Sequence, residues 1–201
     1  MPSTGSSPHP PIAVLIAGAN GAGKSTAASR LLNGALGVIE FINADLIAQG
    51  LSPFDPDGAA LAARDVMIQR MEALFAAGIS FGLETTLAAR TLAPRLKKPI
   101  AAGSQFQLVF LFLPSADLAV ARVANRVLLG GHHIPVETIR RRYRAGLENF
   151  FELYQPIATN WQVFDNSQAG AMKLIAAGSQ HGKLRVVQKT LWKQIEKDDR
   201  P

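Results

Sequence analysis

The chain has 201 residues and no cysteine. Disulfides, thiolate zinc sites and cysteine nucleophiles are therefore excluded, and the absence fits a reducing compartment. No run of about 18 apolar residues occurs, so no membrane span is expected. Aromatics are few, at 7%. The one among the arginines of 122–144, Tyr143, falls on the core side of its helix, which disfavours a base-stacking nucleic-acid surface. Residues 1–11 carry no Lys or Arg. They lack the charged start of a signal peptide and read as a disordered Ser/Pro/Gly tail. The expectation is a cytoplasmic protein with no membrane partner. A hydrophobic fraction of 48% is enough for a real core, in one domain over 12–201.

What is present is a pattern made for phosphate. Gly18-Ala19-Asn20-Gly21-Ala22-Gly23-Lys24-Ser25, followed by Thr26, fits G-x-x-x-x-G-K-[ST]. The apolar run 12–17 before it reads as a buried strand, and 25–32 after it reads as a helix. Glycines let backbone N–H groups turn inward onto phosphate oxygens. Lys24 can reach the β- and γ-phosphates of ATP or GTP, and the Ser25 hydroxyl can ligate Mg²⁺. The glycine spacing differs from that of dinucleotide folds, which argues against a hydride-transfer enzyme.

The rest alternates strand and helix. Strands are expected at 38–42, 79–83, 107–113 and 161–164. Helices are expected across Ile68, Met71 and Phe75, at 88–96 with a stop before Pro99, across Val120, Val123 and Val127 behind a Ser115 cap, and at 136–151. After 168 the pattern suggests a hairpin and a helix over 187–195. The fold class is α/β: a parallel five-stranded sheet flanked by helices, with an arginine-rich helical lid near 122–144 and a C-terminal extension at 168–201. Ligands of such sheets lie at the carboxyl ends of the strands. Four strands there deliver polar residues: the phosphate loop, Asn43-Ala44-Asp45, Glu84-Thr85-Thr86 and Asp165-Asn166-Ser167.

Phosphoryl transfer needs phosphate clamps, a metal ion and a base near the acceptor hydroxyl. Asp45 is the candidate base; it also reads as a helix cap or an outer Mg²⁺ partner. Asn43, Glu84 and Thr85 are candidate acceptor contacts, or else part of a turn. Asp165 and Asn166 are placed near the adenine of the nucleotide, or in an Asx turn. His132 and His133 read as loop residues, with no third metal ligand in reach. Six arginines (122, 126, 140, 141, 142, 144) share the segment with one acid, Glu137. Like charges so crowded would repel without an anion, which favours a lid over the γ-phosphate. A basic patch for nucleic acid or a partner protein, in a nucleotide-switched binding module, is the alternative. The strand 107–113 ends in Pro114-Ser115 rather than in the acid that mechanical ATPases carry, which favours a small-molecule kinase.

These residues together resemble the zeta-toxin family of P-loop kinases. The resemblance covers about 12–167 and rests on GANGAGKST (18–26), NAD (43–45), LETT (83–86), RVANRV (122–127), GGHHIP (130–135), IRRRY (139–143) and FDNS (164–167). It implies a phosphotransferase with an alcohol acceptor. It also implies phosphate contact by Lys24, base catalysis by Asp45, substrate fixing by Glu84, and contact of the transferring phosphate by Arg126 and Arg142, with Arg122 and Arg141 beside them in the lid. The family includes toxins whose acceptor is UDP-N-acetylglucosamine, so the resemblance implies a small metabolite, such as that nucleotide sugar, as the acceptor. The lid, the segment 94–107 and Ala88 depart from the founding toxins, which leaves a non-toxic metabolite kinase open. No antitoxin-like helical segment precedes the phosphate loop, so any antitoxin is expected as a separate chain.

Overall fold

The computed structural model describes residues 10–32, 38–168, 172–180 and 182–198. Residues 1–9 of the expected tail lie outside these. Pro11 does not belong to a tail, because its carbonyl accepts a hydrogen bond from Gln105 N at 2.9 Å.

Strand β1 (Ile12–Gly18) is apolar at nearly every position and buried from Ala13 onward, as a strand covered on both faces must be. It lies between β3 (Phe81–Thr85) and β4 (Gln105–Phe112). With β2 (Glu40–Asn43) and β5 (Asn160–Asp165) these form a parallel set in the order β2-β3-β1-β4-β5. The sheet continues antiparallel through β6 (Lys173–Ser179) and β7 (Arg185–Val186). It is therefore mixed and seven-stranded, where five parallel strands are expected from the sequence. The suggested hairpin after residue 168 adds to the sheet edge instead of standing apart.

Two apolar clusters cover the sheet. One joins Met67, Ile68, Met71 and Leu74 of α3 (Ala60–Ala76), Leu96 of α4 (Ala93–Ala101), Leu147 of α6 (Val136–Asn149) and Trp192 and Ile195 of α7 (Lys189–Asp198). The other joins Ala27 and Ala28 of α1 (Lys24–Arg30) to Ala119 and Val123 of α5 (Ala116–Leu128), whose Ser115 cap accepts from Leu118 N at 3.1 Å. Among the described residues no helix is long and apolar enough to cross a membrane.

Three elements differ from the sequence pattern. A short helix, α2 (Ala44–Leu51), follows β2 at once because Asn43 caps it. The helix expected at 88–96 is displaced to Ala93–Ala101 and includes Pro99. Residues 85–88 are held in side-chain-to-backbone turns, so no helix can start there. α6 ends at Asn149 and passes into a π-helical turn, Phe150–Tyr154.

The C-terminal extension is tied in by an aromatic stack. Trp192 lies parallel to Trp161 of β5, with centroids 5.7 Å apart at 14°. Gly178 lies against Trp161: a Cβ there would sit 2.5 Å from its Cζ2. Gly178→Ala must therefore displace the indole. We expect a loss of about 1–3 kcal/mol in urea denaturation, with a shift in tryptophan emission. An unchanged midpoint would contradict this packing.

Candidate functional site: a phosphate loop ringed by charge

The phosphate loop closes β1 and opens α1. Gly21 and Gly23 lie at φ 79° and 81°, in the left-handed region that glycine enters without strain. The loop is braced from the neighbouring strand end: Asn166 Nδ2 donates to Ala22 O at 2.7 Å. Arg122 completes the brace, donating to the carbonyls of Asn166 (2.9 Å), Ser167 (2.7 Å) and Gly21 (3.5 Å). Both residues thus spend polar atoms on backbone. Asp165 accepts from Ser167 N at 2.8 Å, forming an Asx turn. Within the loop Ala19 and Ala22 are buried, and so is Asn20, whose Oδ1 has no hydrogen-bond partner among the described residues. Thr26 is exposed beside Ser25.

Lys24 is buried, and its Nζ donates to Ala19 O at 3.0 Å. Glu84 Oε1 lies 3.8 Å away. Burial pushes the ammonium below its usual pKa; the charges of Glu84 and Asp45 oppose this, and those of Arg126 and Arg142 add to it. Five charged groups from five elements thus converge on one point: β3, α2, α5 and α6 surround the first residue of α1.

Glu84 occupies the centre. Its Oε2 accepts from Ser25 Oγ at 2.8 Å and from Asn43 Nδ2 at 2.9 Å, and its side chain is only 9% exposed. An acid thus stands near the end of β3, the other neighbour of β1, whereas none follows β4 directly. Strand order decides which strand must carry it, and that order is not written in local pattern.

Asn43 makes the helix cap that Asp45 was weighed for: its Oδ1 accepts from Asp45 N (2.8 Å) and Leu46 N (3.2 Å). The Asp45 carboxylate is left exposed, facing the charge of Lys24. Thr85 Oγ1 accepts from Leu87 N at 3.0 Å, a turn contact rather than a helix cap.

The arginine segment is less crowded with free charge than its sequence suggests. Arg122 is spent on carbonyls, and Arg140 pairs with Asp117 at 2.6 Å. Arg126 donates to His132 O at 2.8 Å, which pins the glycine loop to α5. His132 Nε2 lies 3.3 Å from Asp57. Arg141 is exposed, whereas Arg142 is half-buried. No group of three or more His, Asp or Glu suited to hold a metal by itself occurs among the described residues.

The phosphate loop after β1, the parallel set β2-β3-β1-β4-β5 and the arginine helices define a P-loop kinase fold with a mixed, seven-stranded sheet. Residues 14–151 match the AAA domain family (AAA_33), and the chain belongs to that family. The match is to that family and not to the zeta toxins which the motifs resemble. An uncharacterized protein of Haemophilus influenzae is 29% identical over 131 residues, 65% of this chain and 91% of that protein. The fold is similar to a chain of the AvrRxo1-ORF1:AvrRxo1-ORF2 complex (TM-score 0.71, 15% identity, 93% of this chain), which has also been solved with ATP. This chain spans 63% of that one. It is also similar to a chain of the PezAT toxin–antitoxin system of Streptococcus pneumoniae (TM-score 0.62, 16% identity, 96% of this chain and 87% of that one). A gluconokinase from Sinorhizobium meliloti follows (TM-score 0.53, 16% identity, 79% of this chain and 84% of that one). These are likenesses of fold.

A triphosphate beside Lys24 stabilises its ammonium, so its pKa is higher in the complex than in the free protein. Affinity is then full below the free-protein value and falls as the pH rises through it towards the value in the complex. Calorimetric titration with ATP is expected to show this alkaline decline. Lys24→Met should bind at least about tenfold more weakly at neutral pH and without the decline. Equal binding by both proteins would overturn the placement of Lys24.

Proposed function

We propose that the protein is an ATP-dependent kinase that transfers the γ-phosphate to a hydroxyl of a small metabolite. The observation that carries this reading is the Asp45 carboxylate, exposed and free of capping duty, with its charge acting on the phosphate-loop lysine. A carboxylate so placed can receive the proton of an acceptor hydroxyl as the new bond to phosphorus forms. The AvrRxo1 complex solved with ATP and the gluconokinase support the same class. GTP fits the phosphate loop equally well, since the loop acts on the phosphates, which the two nucleotides share.

In the proposed reaction Lys24 and the loop amides hold the β- and γ-phosphates. Asp45 accepts the proton as the acceptor oxygen forms its bond to the γ-phosphorus. The bond from that phosphorus to the bridging oxygen breaks, and ADP leaves. Arg126 and Arg142, whose charges bear on Lys24, offset the negative charge spread over the transferring group. The Ser25 hydroxyl and the Glu84 carboxylate form a hard oxygen donor set beside the phosphates, which fits Mg²⁺ with water and phosphate oxygens completing its shell. The ion would neutralise phosphate charge. Glu84, held by Ser25 and Asn43 and close to Lys24, would be one of the residues that hold it. We assign Glu84 to that shell as well as to acceptor binding with Asn43 and Thr85.

The acceptor class follows from the motifs. Their resemblance to zeta toxins, together with the PezAT likeness, makes a nucleotide sugar such as UDP-N-acetylglucosamine the first acceptor to test, and a separate antitoxin the first partner. The gluconokinase likeness favours a plain metabolite kinase. The binding-module alternative is weaker, because Arg122 and Arg140 already have partners.

Phosphorus NMR with ATP, Mg²⁺ and a panel of UDP-sugars and sugar acids tests the proposal. A new phosphomonoester signal is expected, lost by about 100-fold or more in Asp45→Asn while ATP binding persists. Transfer at the wild-type rate in Asp45→Asn would remove Asp45 from the base role. ADP and inorganic phosphate alone would place the acceptor outside the panel.

A further inference from the structure

Behind the candidate acceptor residues the chain takes a shape it would not hold alone. Leu87 has φ 58°, the one positive value outside glycine among the described residues. A bulky side chain rarely enters that region, and its presence signals a conformation imposed from outside. The Leu87 side chain is fully buried in the core, so the strain is not relieved by turning outward.

The restraint comes from α6 and the π-helical turn after it. Asn149 is 2% exposed, and its Nδ2 donates to Leu87 O at 2.7 Å. Arg90 reaches back to Asn149 Oδ1 at 3.2 Å and to Glu152 at 2.9 Å. Tyr154 Oη donates to Ala89 O at 3.0 Å. Gly146 lies so close that a Cβ there would sit 2.5 Å from Thr86 O. The π-helical turn inserts an extra residue per turn, which re-aims Tyr154 onto the loop. Four residues of one continuous helical segment, Gly146, Asn149, Glu152 and Tyr154, thus shape residues 86–90, immediately after Glu84 and Thr85.

The same helix carries Arg142. Arg142, Gly146 and Asn149 fall at positions i, i+4 and i+7, which is one face of a helix. That face runs from the charge around Lys24 to the strained turn, about 10 Å along the axis. A rigid helix cannot move at one end without moving at the other.

We propose that α6 is a strut coupling the position of the lid arginines to the shape of the 85–90 loop, with Asn149 and Gly146 as its positioning residues. The proposal rests on the kinase reading only in naming the two ends as the phosphate and acceptor sides. Nucleotide that draws Arg142 inward tightens the loop, so acceptor contacts become ordered when the phosphoryl donor is in place. Neither Asn149 nor Gly146 touches a reacting atom.

Hydrogen exchange, with and without Mg²⁺ and the non-hydrolysable analogue AMP-PNP, tests this on the intact chain without any acceptor. In the wild type, AMP-PNP is expected to slow exchange at 18–26 and also at 85–90. In Asn149→Leu, which keeps the branching and the number of heavy atoms but removes both bonds, exchange at 85–90 should quicken at least about tenfold without nucleotide. Its response to AMP-PNP should vanish while protection at 18–26 remains. A residue with a merely structural role would raise exchange throughout and leave that response in place. Gly146→Ala is the second variant and covers the case in which Asn149→Leu does not fold. Alanine is the better helix former, yet here it should loosen 85–90 by wedging the Thr86 carbonyl. Wild-type exchange at 85–90 in either folded variant, or a wild-type loop indifferent to AMP-PNP, overturns the strut. Absence of protection at 18–26 in the wild type would instead count against nucleotide binding, and the nucleotide-free comparison of wild type with Asn149→Leu would still decide the bracing.

Discussion

The structure depends on one buried cation. An ammonium taken out of water is costly unless opposite charge and hydrogen bonds surround it. Lys24 is buried at the start of α1, and the arrangement around it answers that cost: the Ala19 carbonyl accepts a hydrogen bond from the ammonium, and Glu84 supplies the nearest negative charge. For Glu84 to be there, β3 must lie beside β1, Asn43 must turn its amide inward, and α2 must start at once after β2. Sheet order, the cap and the site meet at that one electrostatic demand.

That demand also explains the division of labour among polar residues. Asn43 both caps α2 and donates to Glu84. It thereby releases Asp45 from capping and leaves a carboxylate facing solvent. Arg122 and Asn166 spend their donors on the loop backbone, which keeps the cradle rigid and leaves Arg126 and Arg142 as the cations whose charge reaches Lys24. A site that must bind a strongly charged group gains from being assembled beforehand, since little reorganisation then accompanies binding.

Much of this was legible in the amino-acid sequence, and the boundary follows from the range of the forces. The phosphate loop, β1 and α5 are set by contacts within a few residues, and local pattern finds them. The convergence of strand ends on one edge was also readable, because parallel alternation of strands and helices requires it. Three things were not. Glu84 beside Ser25 depends on strand order, a contact across 59 residues. The displacement of the fourth helix depends on a turn that Asn149 holds from 62 residues away. The β6–β7 hairpin was suggested, but its pairing with β5 was not, because a seven-residue run and a two-residue run carry little pattern that names a partner. In each case tertiary contact overrides local preference.

The strand lengths at the two margins of the sheet bear on how such a molecule stays apart from its own kind. One margin is β2, four residues long, and the other is β7, of two. A sheet margin offers unpaired backbone groups to any passing strand, and long flat margins invite aggregation. Here a wide, largely apolar sheet tapers at both sides to strands that present few such groups. The antiparallel hairpin after β5 thus does more than complete the core: it replaces an open six-residue parallel edge with one too short to serve as a template.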